Sequence, residues 1–160
     1  MKLPIYVAEL IQERMASFLM GCDYPRAFYQ HLPSEIDVDV RWTLSIEVLY
    51  RLLACSLIVP GHYRNEINSS KSKKLSKKMI FECRSYLFTL GQTDPESMDI
   101  EDYVAWQEWD LCIGVEGKKL LVKHGVIEPR SVLNNYFIKD VEDIFSQENV
   151  GWEVFPLIER

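Results

Sequence analysis

The sequence predicts a mainly α fold: a single-domain helical bundle over residues 1–160, with at most one or two short strands. Three observations carry that prediction. Apolar residues recur at helical spacing through several long segments. Gly and Pro punctuate those segments where helices should stop. Hydrophobic residues are 48% and charged residues 26% of the 160 positions, the balance of an ordinary globule that needs no disulfide or metal to fold.

Residues 5–20 place Val7, Leu10, Ile11, Met15, Phe18 and Leu19 on one helical face, with Glu9, Glu13 and Arg14 mostly elsewhere. Gly21 stops the run. Pro25 opens a short, aromatic helix from Arg26 to Leu32, ended by Pro33-Ser34. Val40 to Val59 is the most apolar segment and reads as the central helix, buried on most sides and ending before Pro60-Gly61. Glu47 and Arg51, four apart, are expected to pair on one exposed strip of it.

Residues 61–72 read as a polar loop. A helix over 72–90 follows, with Leu75, Met79, Ile80, Cys83, Tyr86, Leu87 and Leu90 as its apolar stripe and Gly91 as its stop. Thr93 to Glu96 has capping-box form, and the spacing is tested as a helix over 97–112. A short element from Lys118 to His124 stops at Gly125. Ser131 is expected to cap a last helix from Val132 to Gln147, with Tyr136, Phe137, Val141, Ile144 and Phe145 inward. Trp152 to Ile158 reads as a short strand or a packed extended arm.

Net charge is −6 and the pI about 5.1. A protein whose whole surface meets nucleic acid or anionic lipid is therefore not expected. No segment reaches the ~18 apolar residues of a membrane span. Glu9, Glu13 and Arg14 interrupt the first apolar run, so a signal peptide is not expected. Cys22, Cys55, Cys83 and Cys112 are widely spaced, which leads us to expect four reduced thiols and a cytoplasmic protein.

Sites of chemistry are sparse. No GxSxG, P-loop or GxGxxG occurs. His31, His62 and His124 are far apart in sequence, so no metal site is expected where zinc needs three or four convergent ligands. No cofactor is expected either. His62, Arg64 and Glu66 have the composition of a small hydrolase or nuclease set, and Cys112 is the most plausible partly exposed thiol. Lys71, Lys73, Lys74, Lys77 and Lys78 put five positive charges in eight residues. They could neutralise phosphates, or simply form a solvated helix face. Lysines in a helix's first turn oppose its dipole, a placement that favours use over stability.

The most distinctive stretch is DPESMDIEDYVAWQEWD, from Asp94 to Asp110, with seven acidic residues and no Lys or Arg. A single helix over 97–112 sets Ile100, Val104 and Leu111 on a common face and Trp109 roughly opposite. Trp106 and Trp109 are then either core rings or surface rings between carboxylates. The second case suits a basic protein partner, because aromatic rings dominate interface energy while charges set encounter rate.

A small acidic helical chain without catalytic motifs, carrying DIEDYVAWQEWD, resembles bacterial immunity proteins. These neutralise nuclease toxins, including those of contact-dependent growth inhibition systems. The resemblance implies a non-enzymatic, cytoplasmic antitoxin that binds a cognate basic toxin. Asp99, Glu101, Asp102, Glu108 and Asp110 would meet the toxin's Lys and Arg, and Tyr103, Trp106 and Trp109 would supply contact area.

Overall fold

A computed structural model describes residues 2–158, and its longest helix is the central one. Asp37 starts it: one carboxylate oxygen accepts from the N–H of Asp39 at 3.0 Å and of Val40 at 3.4 Å, satisfying donors with no partner inside the helix. The first two helices, α1 (Ile5–Ser17) and α2 (Arg26–His31), precede it; the central helix is α3 (Val38–Ala54). All three pack together, and Val7, Ile11, Met15, Phe28, Trp42, Leu49 and Leu52 are in one core cluster.

The central helix ends earlier than its apolar run. Ser56 adopts a left-handed φ of 56°, Ser56 N–H reaches Leu53 O and Leu57 N–H reaches Leu52 O, both at 2.9 Å. This is a Schellman-type stop. It frees β-branched Ile58 and Val59 for a strand. That strand, β1 (Ile58–Pro60), pairs antiparallel with β2 (Leu111–Ile113) through Ile58↔Ile113, Val59↔Cys112 and Pro60↔Leu111. Asp23 bridges the same Leu111. The segment read as a polar loop instead makes a 3-10 turn at Gly61–Tyr63 and α4 (Arg64–Ser69).

The next helix, α5 (Lys77–Gly91), starts five residues later than its hydrophobic stripe suggests. Leu75 N–H is held by Ser56 Oγ at 2.9 Å and Ser76 Oγ accepts from Met79 N–H at 3.3 Å, so Ser76 is the cap. Met79, Cys83, Leu87 and Leu90 are buried, as the stripe requires. Then come α6 (Ile100–Glu108), α7 (Val115–Lys123) and α8 (Asn135–Gln147). Asn134, not Ser131, caps α8, accepting from Tyr136 and Phe137 N–H at 3.0 and 3.1 Å. Phe137, Val141 and Phe145 face inward, whereas Tyr136 is exposed. The architecture is mainly α, with eight helices and one two-stranded sheet among the described residues.

Two expectations need correction. Glu47 and Arg51 do pair, but both side chains are fully buried. Their neighbour is the residue 151–158 arm. Glu47 accepts from Leu157 N–H at 2.9 Å and Ile158 N–H at 2.8 Å. Arg51 donates to Val154 O at 2.9 Å, and its guanidinium lies 4.6 Å from the Trp152 ring centroid. The pair's polar atoms leave water because the arm's backbone replaces it.

Second, the thiols are not all reduced. Cys22 and Cys112 form a disulfide, while Cys55 and Cys83 are free and buried. The fold brings Cys22 to β2 because Asp23 bridges Leu111. The bond closes a separation of 90 residues. Exchanging both cysteines for Ser is expected to lower unfolding free energy by about 2–4 kcal/mol, read from the urea midpoint without reductant. An unchanged midpoint would show that the hydrogen bonds of the Asp23–Leu111 bridge suffice to hold that corner.

Candidate functional site

The acidic stretch builds a surface in three parts. Asp99 caps α6: its Oδ1 accepts from Asp102 N–H at 2.8 Å. Glu101 and Asp102 occupy the first turn, where carboxylates favour the helix dipole. Thr93, which the capping-box reading made a helix start, instead donates its hydroxyl to Leu90 O at 2.7 Å.

Trp106 decides which way α6 faces. Its ring lies 3.9 Å from that of Trp42, its Nε1–H donates to Thr93 Oγ1 at 3.0 Å, and it is fully buried. Turning the largest ring inward turns the opposite side out. Ile100 is 82%, Val104 60% and Tyr103 44% exposed. This reverses the face expected from treating 97–112 as one helix. Leu111 was to anchor that face, but it sits on β2, and the biggest apolar area then wins the core. Trp106 therefore offers no surface to a partner.

Trp109 falls between the two expectations. It is half-buried at the extended C-terminal end of α6. Its ring stacks on Tyr86 at 4.2 Å with an interplanar angle of 13°, and meets His62 edge-on at 4.6 Å. Tyr86 donates its hydroxyl to Ala105 O at 2.7 Å, and burial raises its phenol above the ordinary range. Trp109 is a fixed shelf. Beside it Asp110 lies over Gly61, where a Cβ would come within 2.4 Å of its carboxylate. Glycine there permits that approach.

Asp99, Glu101, Glu108 and Asp110 are exposed and Asp102 half-buried. Among the described residues none of these five forms an ion pair. Glu96, earlier in the stretch, is 3.5 Å from Arg41. Arg26 lies 5.7 Å from the Tyr103 ring centroid and supports it from one side. Met98, Asp99, Ile100, Glu101 and Tyr103 line an open depression of about 610 Å³. The site is thus an apolar ridge, Ile100–Tyr103–Val104, set among carboxylates without cationic partners. The sequence signal for it was present: α6 is too short to bury Ile100, Val104 and two Trp rings at once.

The other candidates disperse. His62 stands in the 3-10 turn, Arg64 and Glu66 on α4; among the described residues no hydrogen bond or ion pair joins their side chains. Burial pushes the Cys55 and Cys83 thiols up to about 12, far from a nucleophile's range. Cys112 is buried and disulfide-bonded. Cys22, Asp110 and Cys112 place three donor atoms within 4.8 Å of one another, but the two sulfurs are bonded to each other. His31 is 3.4 Å from Glu13 and His124 is 2.8 Å from Asp140, two separate contacts.

The lysine run is not one helical face. Lys71, Lys73 and Lys74 precede α5; only Lys77 and Lys78 belong to it. Lys73 donates to Asn68 O, Lys74 pairs with Glu148 at 3.1 Å and Lys78 with Glu82 at 3.9 Å. No helix among the described residues is long and apolar enough to cross a membrane. No protein-family model, curated protein or solved structure matches the chain.

Proposed function

We propose that this protein is a non-enzymatic bacterial immunity protein that binds and neutralises a basic toxin, a nuclease in the leading form, through the α6 ridge. The observation that carries the reading is the exposure of Ile100, Tyr103 and Val104 among Asp99, Glu101, Asp102, Glu108 and Asp110. Apolar residues so exposed gain by desolvation against a partner. The unpaired carboxylates raise the encounter rate with a cationic one. Trp109 extends the contact as a rigid aromatic shelf, and Trp106 serves by holding the helix in place. No cofactor or metal enters this mechanism, and occlusion of the toxin's substrate-binding Lys and Arg is its simplest form.

Cytoplasmic residence belongs to the same proposal, since a nuclease toxin acts there. A reducing cytosol would keep Cys22 and Cys112, bonded in this structure, as thiols, so under this proposal the reduced protein must bind the toxin.

The test is the association rate with the toxin as salt rises. From about 50 to about 500 mM the rate is expected to fall at least ~10-fold, as screening removes steering between exposed charges. The Asp99→Asn, Glu101→Gln, Glu108→Gln variant should start slow and lose most of that salt dependence. A wild-type rate indifferent to salt would sink the electrostatic part of the reading.

A further inference from the structure

A second pair of exposed apolar side chains beside a groove lies on α5. Phe81 is 69% and Phe88 50% exposed, although most of the opposite face of the helix is core. Seven residues apart, they stand on one side, roughly 10 Å from each other along the axis. Across from them runs the 151–158 arm, and the two form a groove of about 770 Å³ lined by Phe81, Arg84, Phe88, Pro156, Leu157 and Ile158, among others. Both walls are held. Arg84 donates to Leu157 O at 3.1 Å, and Glu47 grips the N–H groups of Leu157 and Ile158 from below.

Basic residues stand within the groove and just before one end of it. Lys77 stands one turn before Phe81, Lys78 beside it pairs with Glu82 at 3.9 Å, and Arg84 sits within the lining. Lys77 and Lys78 also occupy the first turn of α5, where the dipole is already positive and lysine costs stability. A carboxylate arriving there would offset the dipole and meet Lys77, which forms no ion pair among the described residues, while competing with Glu82 for Lys78. The shape is concave and two-walled, which suits the apolar ridge of a helix better than a flat lipid surface. A net charge of −6 also works against an anionic membrane.

We propose that the α5–arm groove is a second docking surface, whose occupant is an amphipathic helix from a protein partner with acidic residues at one end. Its apolar side chains pack between Phe81, Phe88 and the arm, and its acidic end meets Lys77 and Lys78. The groove shares no residue with the α6 ridge, so a partner can be held there independently of the toxin.

The experiment is selection of a displayed library of helical peptides on the folded protein, with the Phe81→Asp, Phe88→Ser variant as counter-target. The expected winners carry apolar residues at helical spacing and Asp or Glu clustered at one end. Their affinity should drop at least ~10-fold against Lys77→Glu, Lys78→Glu. All variants change exposed side chains, and their melting is expected to match that of the parent. Winners that bind the counter-target equally, or that lack acidic residues, would overturn the proposal. So would a failure to select any peptide, with Phe81→Asp abolishing binding to phosphatidylserine vesicles (a membrane surface) or self-association in sedimentation (a second copy).

Discussion

Replacing Glu47 by Gln is expected to cost about 3–5 kcal/mol of unfolding free energy, because it leaves the fully buried Arg51 guanidinium without its counter-charge. The change is nearly isosteric, so lost packing contributes little. Leu157 and Ile158 N–H both reach one Glu47 oxygen while the other accepts from Arg51, and Gln has a single, uncharged accepting oxygen for all three donors. The loss should be visible twice: as a lower denaturation midpoint, and as faster amide exchange at Leu157 and Ile158. Converting both partners, Glu47→Leu with Arg51→Met, should recover part of the stability, since a buried apolar pair carries no charge to desolvate. Its exchange at Leu157 and Ile158 is expected to be faster still, because Leu offers those donors no acceptor at all. A single-variant loss under about 1 kcal/mol would show that water reaches the pair.

Trp106→Ala is expected to cost a similar amount, about 3–5 kcal/mol, as a buried ring is exchanged for a cavity. The ring packs against Trp42 at a tilt of 32° and donates to Thr93, whose hydroxyl keeps its bond to Leu90 O, so the loss is mainly one of packing. Six residues away, Ile100→Asp should change stability by no more than about 0.5 kcal/mol, because Ile100 is 82% exposed. In the proposed immunity function it should nonetheless weaken toxin binding strongly. Thermal melting of the two variants side by side checks the division between residues that build α6 and residues that α6 displays. If Ile100→Asp unfolds the protein and Trp106→Ala does not, the orientation of α6 described above is wrong.

The stretch that holds both residues shows how far local pattern reaches. Helical periodicity located α1, α5 and α8 through residues such as Ile11, Leu87 and Phe137, because each is one uninterrupted helix whose apolar positions are buried. It misplaced Ile100 and Val104 because a wheel assumes one uninterrupted helix. Whether residue 111 belongs to that helix depends on β1, about fifty residues earlier. The same is true of Ile58 and Val59, apolar enough for a buried helix yet claimed by the strand pair once Ser56 ends α3. The groove on α5 was invisible for a related reason: its second wall is the arm at Pro156 to Ile158.

Length, charge and the periodic stripes were enough to specify a mainly α fold, the order of its principal helices, and an acidic aromatic segment as the place to look. These are properties of residues and their near neighbours, summed along the chain. Tertiary structure alone decided that Glu47 and Arg51 are interior, that Cys22 meets Cys112, and that α6 hides Trp106 while showing Ile100 and Val104. Each outcome depends on which distant segment covers a side chain. Burial is a competition for a limited core, and only the assembled chain reveals which residues won it.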